Sequence, residues 1–143
     1  MIRYFDASAL AKRYVDEAPQ ADARAVRRLL AGGLPATSRF SQIEVASALA
    51  RRCREGSISE TDRDRALAAV AADFAALNVV ELVPEIAALA GRLLVRHGLR
   101  AGDALQLASC LYLARRVGGR VEFLAFDQRL ASAAANEGLP APA

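Results

Sequence analysis

The stretch Leu99-Arg100-Ala101-Gly102-Asp103-Ala104-Leu105-Gln106-Leu107-Ala108 places one carboxylate at the mouth of a helix that is otherwise almost wholly apolar. Ala104, Leu105, Leu107, Ala108, Leu111 and Tyr112 recur at helical spacing and cover most of the circumference, so the helix is expected to be buried. A buried helix rarely carries an acid without a reason. In one reading Asp103 sits in the first turn, where it satisfies free backbone N–H groups and the positive end of the dipole. In the other it faces a cleft where further carboxylates meet it around a metal ion, which requires that those partners exist elsewhere in the chain.

Outward from this helix the chain alternates strands and helices. Downstream, the helix runs to about Val117, Gly118-Gly119 turns the chain, and residues 121–126 form a mostly apolar strand of the kind buried parallel sheets use. Asp127 follows that strand directly, residues 129–136 make a last helix ended by Gly138, and residues 139–143 add a short edge segment whose pairing Pro140 and Pro142 limit. Upstream, residues 79–83 read as a strand, and Pro84 opens a helix over Ile86, Leu89, Leu93 and Leu94. His97 lies in its last turn and complements the dipole; with no second His or Cys near it, it is assigned no metal or catalytic role.

Further back, Ser59-Glu60-Thr61-Asp62 is a capping box before Leu67, Val70, Phe74 and Leu77, a packing helix. Residues 2–5 alternate and are β-prone, so Asp6 stands at the carboxyl end of a first strand, and Asp6 or Ser8 caps a helix over residues 9–15. Pro19 is placed near the start of a second helix, residues 19–30, with Ala23, Val26, Leu29 and Leu30 inward and Arg24, Arg27 and Arg28 outward. After Gly32-Gly33, residues 34–37 form a short strand, and residues 38–41 lead into a helix reaching Arg54. Ser41-Gln42-Ile43-Glu44 has the form of a capping box in which Glu44 reaches back to the Ser41 N–H. The same Glu44 also projects from the sheet end that receives Asp6. Arg51, Arg52 and Arg54 cluster at the end of this helix, on the rim of the proposed cleft.

Composition bounds these readings. With 143 residues, 54% of them hydrophobic, and no Gly/Ser/Pro linker or internal repeat, the chain is expected to be a single domain, 1–143, around one substantial core. No signal peptide or membrane-spanning run is legible, so a soluble, cytoplasmic protein is expected. Cys53 and Cys110 lack metal spacing and read as reduced thiols. A net charge of +3 permits a polyanionic partner without demanding one. Lys12 is the only lysine; all other basic side chains apart from His97 are arginine, which suits phosphate recognition, although Arg-rich and Ala-rich usage throughout also explains them.

Alternating strands and helices imply parallel strands and right-handed crossovers, which put every strand-to-helix junction on one sheet edge. Asp6 and Asp127 are such junctions, and Glu44 and Asp103 open helices that dock on the same layers. Four caps explain the acids one by one; they do not explain why two end strands while a third opens so apolar a helix. Clustered carboxylates repel unless a cation lies between them, and oxygen ligands suit Mg²⁺ or Mn²⁺. Such ions, beside arginines, polarise a phosphodiester and lower the pKa of a bound water, whose hydroxide then attacks phosphorus. A phosphate-transferring hydrolase would want a second Asp at position 8, where Ser8 stands, and a receiver domain a lysine near the site; neither is satisfied.

Four pieces in order carry a resemblance: Asp6-Ala7-Ser8-Ala9-Leu10; Glu44 in Ser41-Gln42-Ile43-Glu44-Val45; Arg100-Ala101-Gly102-Asp103-Ala104-Leu105-Gln106-Leu107-Ala108; and Phe126-Asp127-Gln128-Arg129-Leu130. Over essentially its whole length the chain resembles a PIN domain, specifically the VapC-like toxin ribonucleases of bacterial toxin-antitoxin pairs. The resemblance implies an α/β, three-layer fold with a central, mostly parallel sheet flanked by helices. It implies a Mg²⁺- or Mn²⁺-dependent endoribonuclease with Asp6, Glu44, Asp103 and Asp127 as its acidic quartet. Asp6 and Asp103 are then the direct metal ligands, and Ser8 matches a polar position supporting the first acid. Glu44 and Asp127 orient the metal or the water, while Arg100, Arg51, Arg52 and Arg54 contact RNA phosphates. A homodimer and a small antitoxin partner are implied as well. One position departs from the family: Ala125 stands where a Thr or Ser is common, which removes a hydroxyl near Asp127. A PIN-like module that binds RNA or a partner with weak or lost catalysis is the alternative, and retention of all four acids argues against it.

Overall fold

A computed structural model describes residues 1–15 and 20–143. The first strand, β1 (Ile2–Phe5), decides the layering, because successive side chains point to opposite faces of a sheet. Tyr4 lies in one core and its neighbour Phe5 in another. Beyond β1 come α1 (Ala7–Ala11), α2 (Gln20–Ala31), β2 (Leu34–Ser38), α3 (Arg39–Arg54), α4 (Glu60–Ala76) and β3 (Asn78–Val80). Then α5 (Pro84–His97) and α6 (Ala101–Val117) lead to β4 (Val121–Leu124) and α7 (Gln128–Asn136). Phe5 packs with Leu10, Val26, Leu49 and Phe74 of α1 to α4. Tyr4 packs with Ile86, Leu93, Leu107 and Leu130 of α5 to α7. The result is the expected helix–sheet–helix sandwich.

The sheet runs β3-β2-β1-β4, and every pairing described in it is parallel. From β1 the chain steps outward through β2 to β3 with its helices on one face. It then crosses to the other face through α5 and α6 and returns to the opposite side of β1. Strand order therefore reverses between β1 and β4, and at such a switch point the flanking loops part and leave a crevice at the carboxyl ends of the strands. Asp6 follows β1 and Asp127 closely follows β4, so both acids stand at that crevice. The Asp6 N–H donates to the Leu124 carbonyl at 3.1 Å, holding the two strand ends together.

Helix α6 is the buried helix its sequence predicts: Ala104, Leu107, Ala108, Cys110 and Leu111 are all covered, and burial pushes the Cys110 thiol up. Both cysteines are free. Several boundaries differ from expectation. Helix α1 stops at Ala11 because residues 12–14 tighten into three-residue turns, Tyr14 N–H to Ala11 O at 2.9 Å among them. Arg13 and Tyr14 can then reach Asp73 on α4, each at 2.6 Å. The strand expected over 79–83 is only β3, since the chain turns at Val83 into Pro84 and Glu81 pairs with Arg39 outside the sheet at 2.6 Å. The C-terminal edge segment forms no strand; a single bond, Phe123 N–H to Pro140 O at 2.8 Å, attaches it. The expected placement of Pro19 in the second helix lies outside the described residues, and α2 is described from Gln20. Among the described residues no helix is long and apolar enough to cross a membrane.

Candidate metal and phosphodiester site

Asp6, Glu44, Asp103 and Asp127 line one cavity of about 520 Å³ at the switch point. Two of them are caps as well. Asp6 Oδ1 accepts the Ala9 N–H at 2.8 Å, and Ser8 Oγ lies 3.0 Å from each Asp6 oxygen. Asp127 Oδ1 accepts the Leu130 N–H at 2.9 Å and caps α7. Capping thus fixes these carboxylates at the cavity mouth, and the two readings of each residue coexist.

The other two acids are not the caps their local patterns suggest. Helix α6 is capped at Arg100, whose side chain makes no capping bond, and Asp103 stands inside the first turn. Helix α3 begins earlier than the Ser41–Glu44 pattern implies: Ser38 is the cap and accepts the Ser41 N–H at 3.2 Å. Glu44 is therefore in the second turn, free of the helix end, and its Oε2 accepts instead from Gln106 Nε2 at 2.9 Å.

The electrostatics are those of crowded acids. Burial pushes Asp6 up to about 6, opposed by the Ala9 N–H and Ser8, with the charges of Asp103 and Glu44 adding to the rise. Burial likewise raises Glu44, opposed by Gln106 and reinforced by Asp103. Asp103 is raised by burial and by Asp127, while Arg100 and Arg129 pull it down. A divalent cation would relieve this repulsion.

Among the described residues no three acid, His or Cys side chains stand close enough to hold an ion by themselves. The donor set nevertheless fits Mg²⁺, which takes one or two carboxylates and keeps several waters. The cavity is roomy and its acidic donors are all oxygen.

Basic groups rim the acids. Arg100 and Arg51 line the cavity, as does Lys12, whose Nζ sits 4.9 Å from the Phe126 ring centre. Arg52 lines a separate hollow with Arg13 and Arg65, and Arg54 is exposed in the last turn of α3. Sequence reading missed Lys12 and Gln106. Lys12 is signalled only by being the single lysine, and its presence removes one ground for setting a receiver domain aside. For Gln106 the only signal in the sequence is a lone amide in an apolar run. His97, read only against the helix dipole, also contacts Glu137 Oε1 at 2.7 Å.

The sequence matches the model of the PIN domain over residues 3–136. The chain belongs to the PIN domain family. Its fold is that of VapC proteins: the Mycobacterium tuberculosis toxin VapC20, described as cleaving the sarcin-ricin loop, is 25% identical, with a TM-score of 0.67 over 92% of this chain and 94% of that one. A toxin-antitoxin complex from Klebsiella pneumoniae shares the fold at 17% identity and TM-score 0.58, over 87% of this chain and 86% of that one. VapBC2 of Rickettsia felis, bound to a DNA fragment from its promoter, shares it at 13% identity and TM-score 0.54, over 85% of each chain. No curated protein matches the sequence. Membership of the PIN family displaces both the phosphate-transferring hydrolase and the receiver domain.

Proposed function

We propose that this PIN domain is a divalent-metal-dependent endoribonuclease of the VapC toxin type, acting in the cytoplasm on RNA and neutralised by a small antitoxin. One observation carries the reading: four carboxylates from four elements line a single cavity rimmed by Lys12, Arg51 and Arg100. Acids alone would repel an RNA backbone, and bases alone would bind it without cutting. Their combination suits a bound cation facing a phosphodiester.

Asp6 and Asp103 would hold Mg²⁺ or Mn²⁺, which supplies Lewis acidity to the phosphodiester and acidifies a water for attack at phosphorus. Asp6 is suited to this by its rigidity, since Ala9 and Ser8 fix its carboxylate. Glu44, held by Gln106, and Asp127, held at the start of α7, orient the ion or the water. Arg51, Arg100 and Lys12 receive the phosphates; Arg52 and Arg54 do not line this cavity and are assigned no phosphate there. Ser8 is engaged with Asp6 and His97 with Glu137, so neither is set up as a nucleophile or as a base for the RNA 2′-hydroxyl.

The partners follow from the same reading. VapC20 is described as a toxin, and two further structures of this fold are toxin-antitoxin complexes or a toxin and antitoxin on DNA. A homodimer whose basic, acid-floored groove takes an antitoxin tail accounts for both; light scattering showing only monomer across concentrations would remove the dimer. The nuclease is tested by incubating the purified protein with defined structured RNA and Mg²⁺ or Mn²⁺, with EDTA as control. Cleavage that EDTA abolishes and added ion restores is the expected result. Salt-sensitive RNA binding with no cleavage under either ion would instead make the protein a binding module.

A further inference from the structure

Glu44 reaches the cavity from the half-exposed face of α3, yet its carboxylate is tied to a fully buried polar side chain of α6. Gln106 is buried in α6, with 1% of its surface exposed. Its Nε2 donates to Glu44 Oε2 and to Ser41 Oγ, both at 2.9 Å, while Tyr4 Oη donates to its Oε1 at 2.7 Å. Ser41 Oγ lies 2.7 Å from Thr37 Oγ1, which donates to the Phe5 carbonyl at 2.8 Å. The network therefore runs from the backbone of β1 through two core hydroxyls and one amide to an acid of the site.

The amide can face only one way. An ionised Glu44 accepts and cannot donate, so turning Gln106 over would set its carbonyl against the carboxylate. Tyr4 is fully buried and its hydroxyl is held well above its ordinary value, so it remains the donor that Oε1 needs. A second constraint comes from Gly102, in the first turn of α6. A Cβ there would lie 2.7 Å from Glu44 Oε1, so the bare backbone leaves the space that this oxygen occupies.

We propose that Gln106 is a positioning residue for Glu44: with the gap at Gly102, it sets the direction in which Glu44 presents its carboxylate to the site. The proposal rests on the nuclease reading for its consequence but not for its geometry. Gln106 also borders the cavity, but its amide is engaged by Glu44, Ser41 and Tyr4, so it acts through Glu44.

Two variants approach Glu44 from opposite sides. Gln106→Leu keeps the bulk and removes the donor; Gly102→Ala leaves the donor and pushes Oε1 aside. An alanine suits a helix better than glycine, and the clash falls on the movable end of a side chain, so Gly102→Ala should keep or raise Tm while lowering cleavage. Each should lower kcat by roughly 10- to 100-fold, the usual effect of a group that orients an acid working beside a bound ion. In a Glu44→Ala background neither should lower it further. Losses that multiply independently of Glu44 would overturn the proposal. A readout without metal or substrate separates the two claims: the Gln106 side-chain NH₂ signals in ¹⁵N NMR should be shifted and slow to exchange, and should move on Glu44→Ala. Signals indifferent to Glu44→Ala would refute the positioning role. If the wild type cut no RNA, the nuclease reading would fall while these signals still decided the role of Gln106.

Discussion

Asp6 and Asp103 line the same cavity, where burial, with a smaller push from the Asp103 charge, holds the Asp6 carboxyl at about 6. The folded protein thus prefers Asp6 protonated more strongly than the unfolded chain does, for which 3.8 is the ordinary value. The preference stabilises the fold fully below about pH 4 and is lost as pH rises through about 6, a change of ~3 kcal/mol. Asp73, Glu81 and Glu137, held low by arginine or histidine partners, work in the opposite sense at acid pH. The Asp6 contribution is isolated by comparing metal-free wild type with Asp6→Asn. Their difference in unfolding free energy should drift in favour of the variant between pH 4 and 7, and saturating Mg²⁺ should restore the wild type at pH 7. A flat difference would show that Asp6 titrates normally.

The sheet contains a second charged pair, away from the site. Arg3 on β1 and Glu122 on β4 are register partners, joined at 2.8 Å with side-chain exposures of 19% and 8%. Arg3 also donates to the Leu29 carbonyl of α2 at 3.1 Å. Removing one member leaves a largely buried charge alone, so Glu122→Ala should cost ~3 kcal/mol in chemical denaturation. Replacing both, Arg3→Met with Glu122→Leu, should recover most of that loss. RNA cleavage should be unaffected once the protein is folded, and equal losses in the single and double variants would count against the pair.

Arginines that share a helix end do not share a role. Arg51 continues the stripe of Glu44 and Ala48 along α3 into the cavity, whereas Arg54 leaves it. Arg51→Ala should weaken RNA binding and reduce the slope of log K against log salt by about 0.7 to 1, the share of one phosphate contact. Arg54→Ala should leave that slope unchanged. The same slope for both variants would mean the cavity is not where the backbone lies.

What the sequence reveals here depends on how far a signal travels along the chain. Asp6 and Asp127 are legible because an acid after an apolar strand is a local pattern, and parallel topology brings such junctions together. The buried character of α6 is legible from its periodicity. Glu44 is legible as a candidate but not in its setting. Its capping-box pattern is complete within four residues, while the Gln106 that holds it is 62 residues away in sequence. Ser38, the true cap, looks no better in sequence than Ser41, which is buried against Gln106. Likewise Arg51, Arg52 and Arg54 form one cluster in sequence, and only the 100° turn per residue separates them in space. Lys12 is out of reach for a related reason: its place at the rim depends on α1 ending at Ala11, which the helical pattern over residues 9–15 does not show.

Asp103→Asn separates the structural and chemical meanings of the residue around which α6 is built. Asparagine keeps the size and a first-turn oxygen while removing the charge. As a cap, Asp103 contributes little, because α6 is capped at Arg100 and Asp103 stands farther in. As a charge it is costly, raised by burial and by Asp127. The variant should therefore keep its Tm or gain slightly. It should lose Mg²⁺-dependent cleavage by more than about 100-fold, beyond the usual effect of a merely supporting group. It should also lower the Asp6 carboxyl, since one of the charges pressing on it is gone, and shift the pH-dependent loss of stability downward. Retained cleavage with a lowered Tm would mean that the carboxylate serves the helix and not an ion. Lost cleavage, unchanged Tm and a lowered Asp6 would together mean that it serves the site.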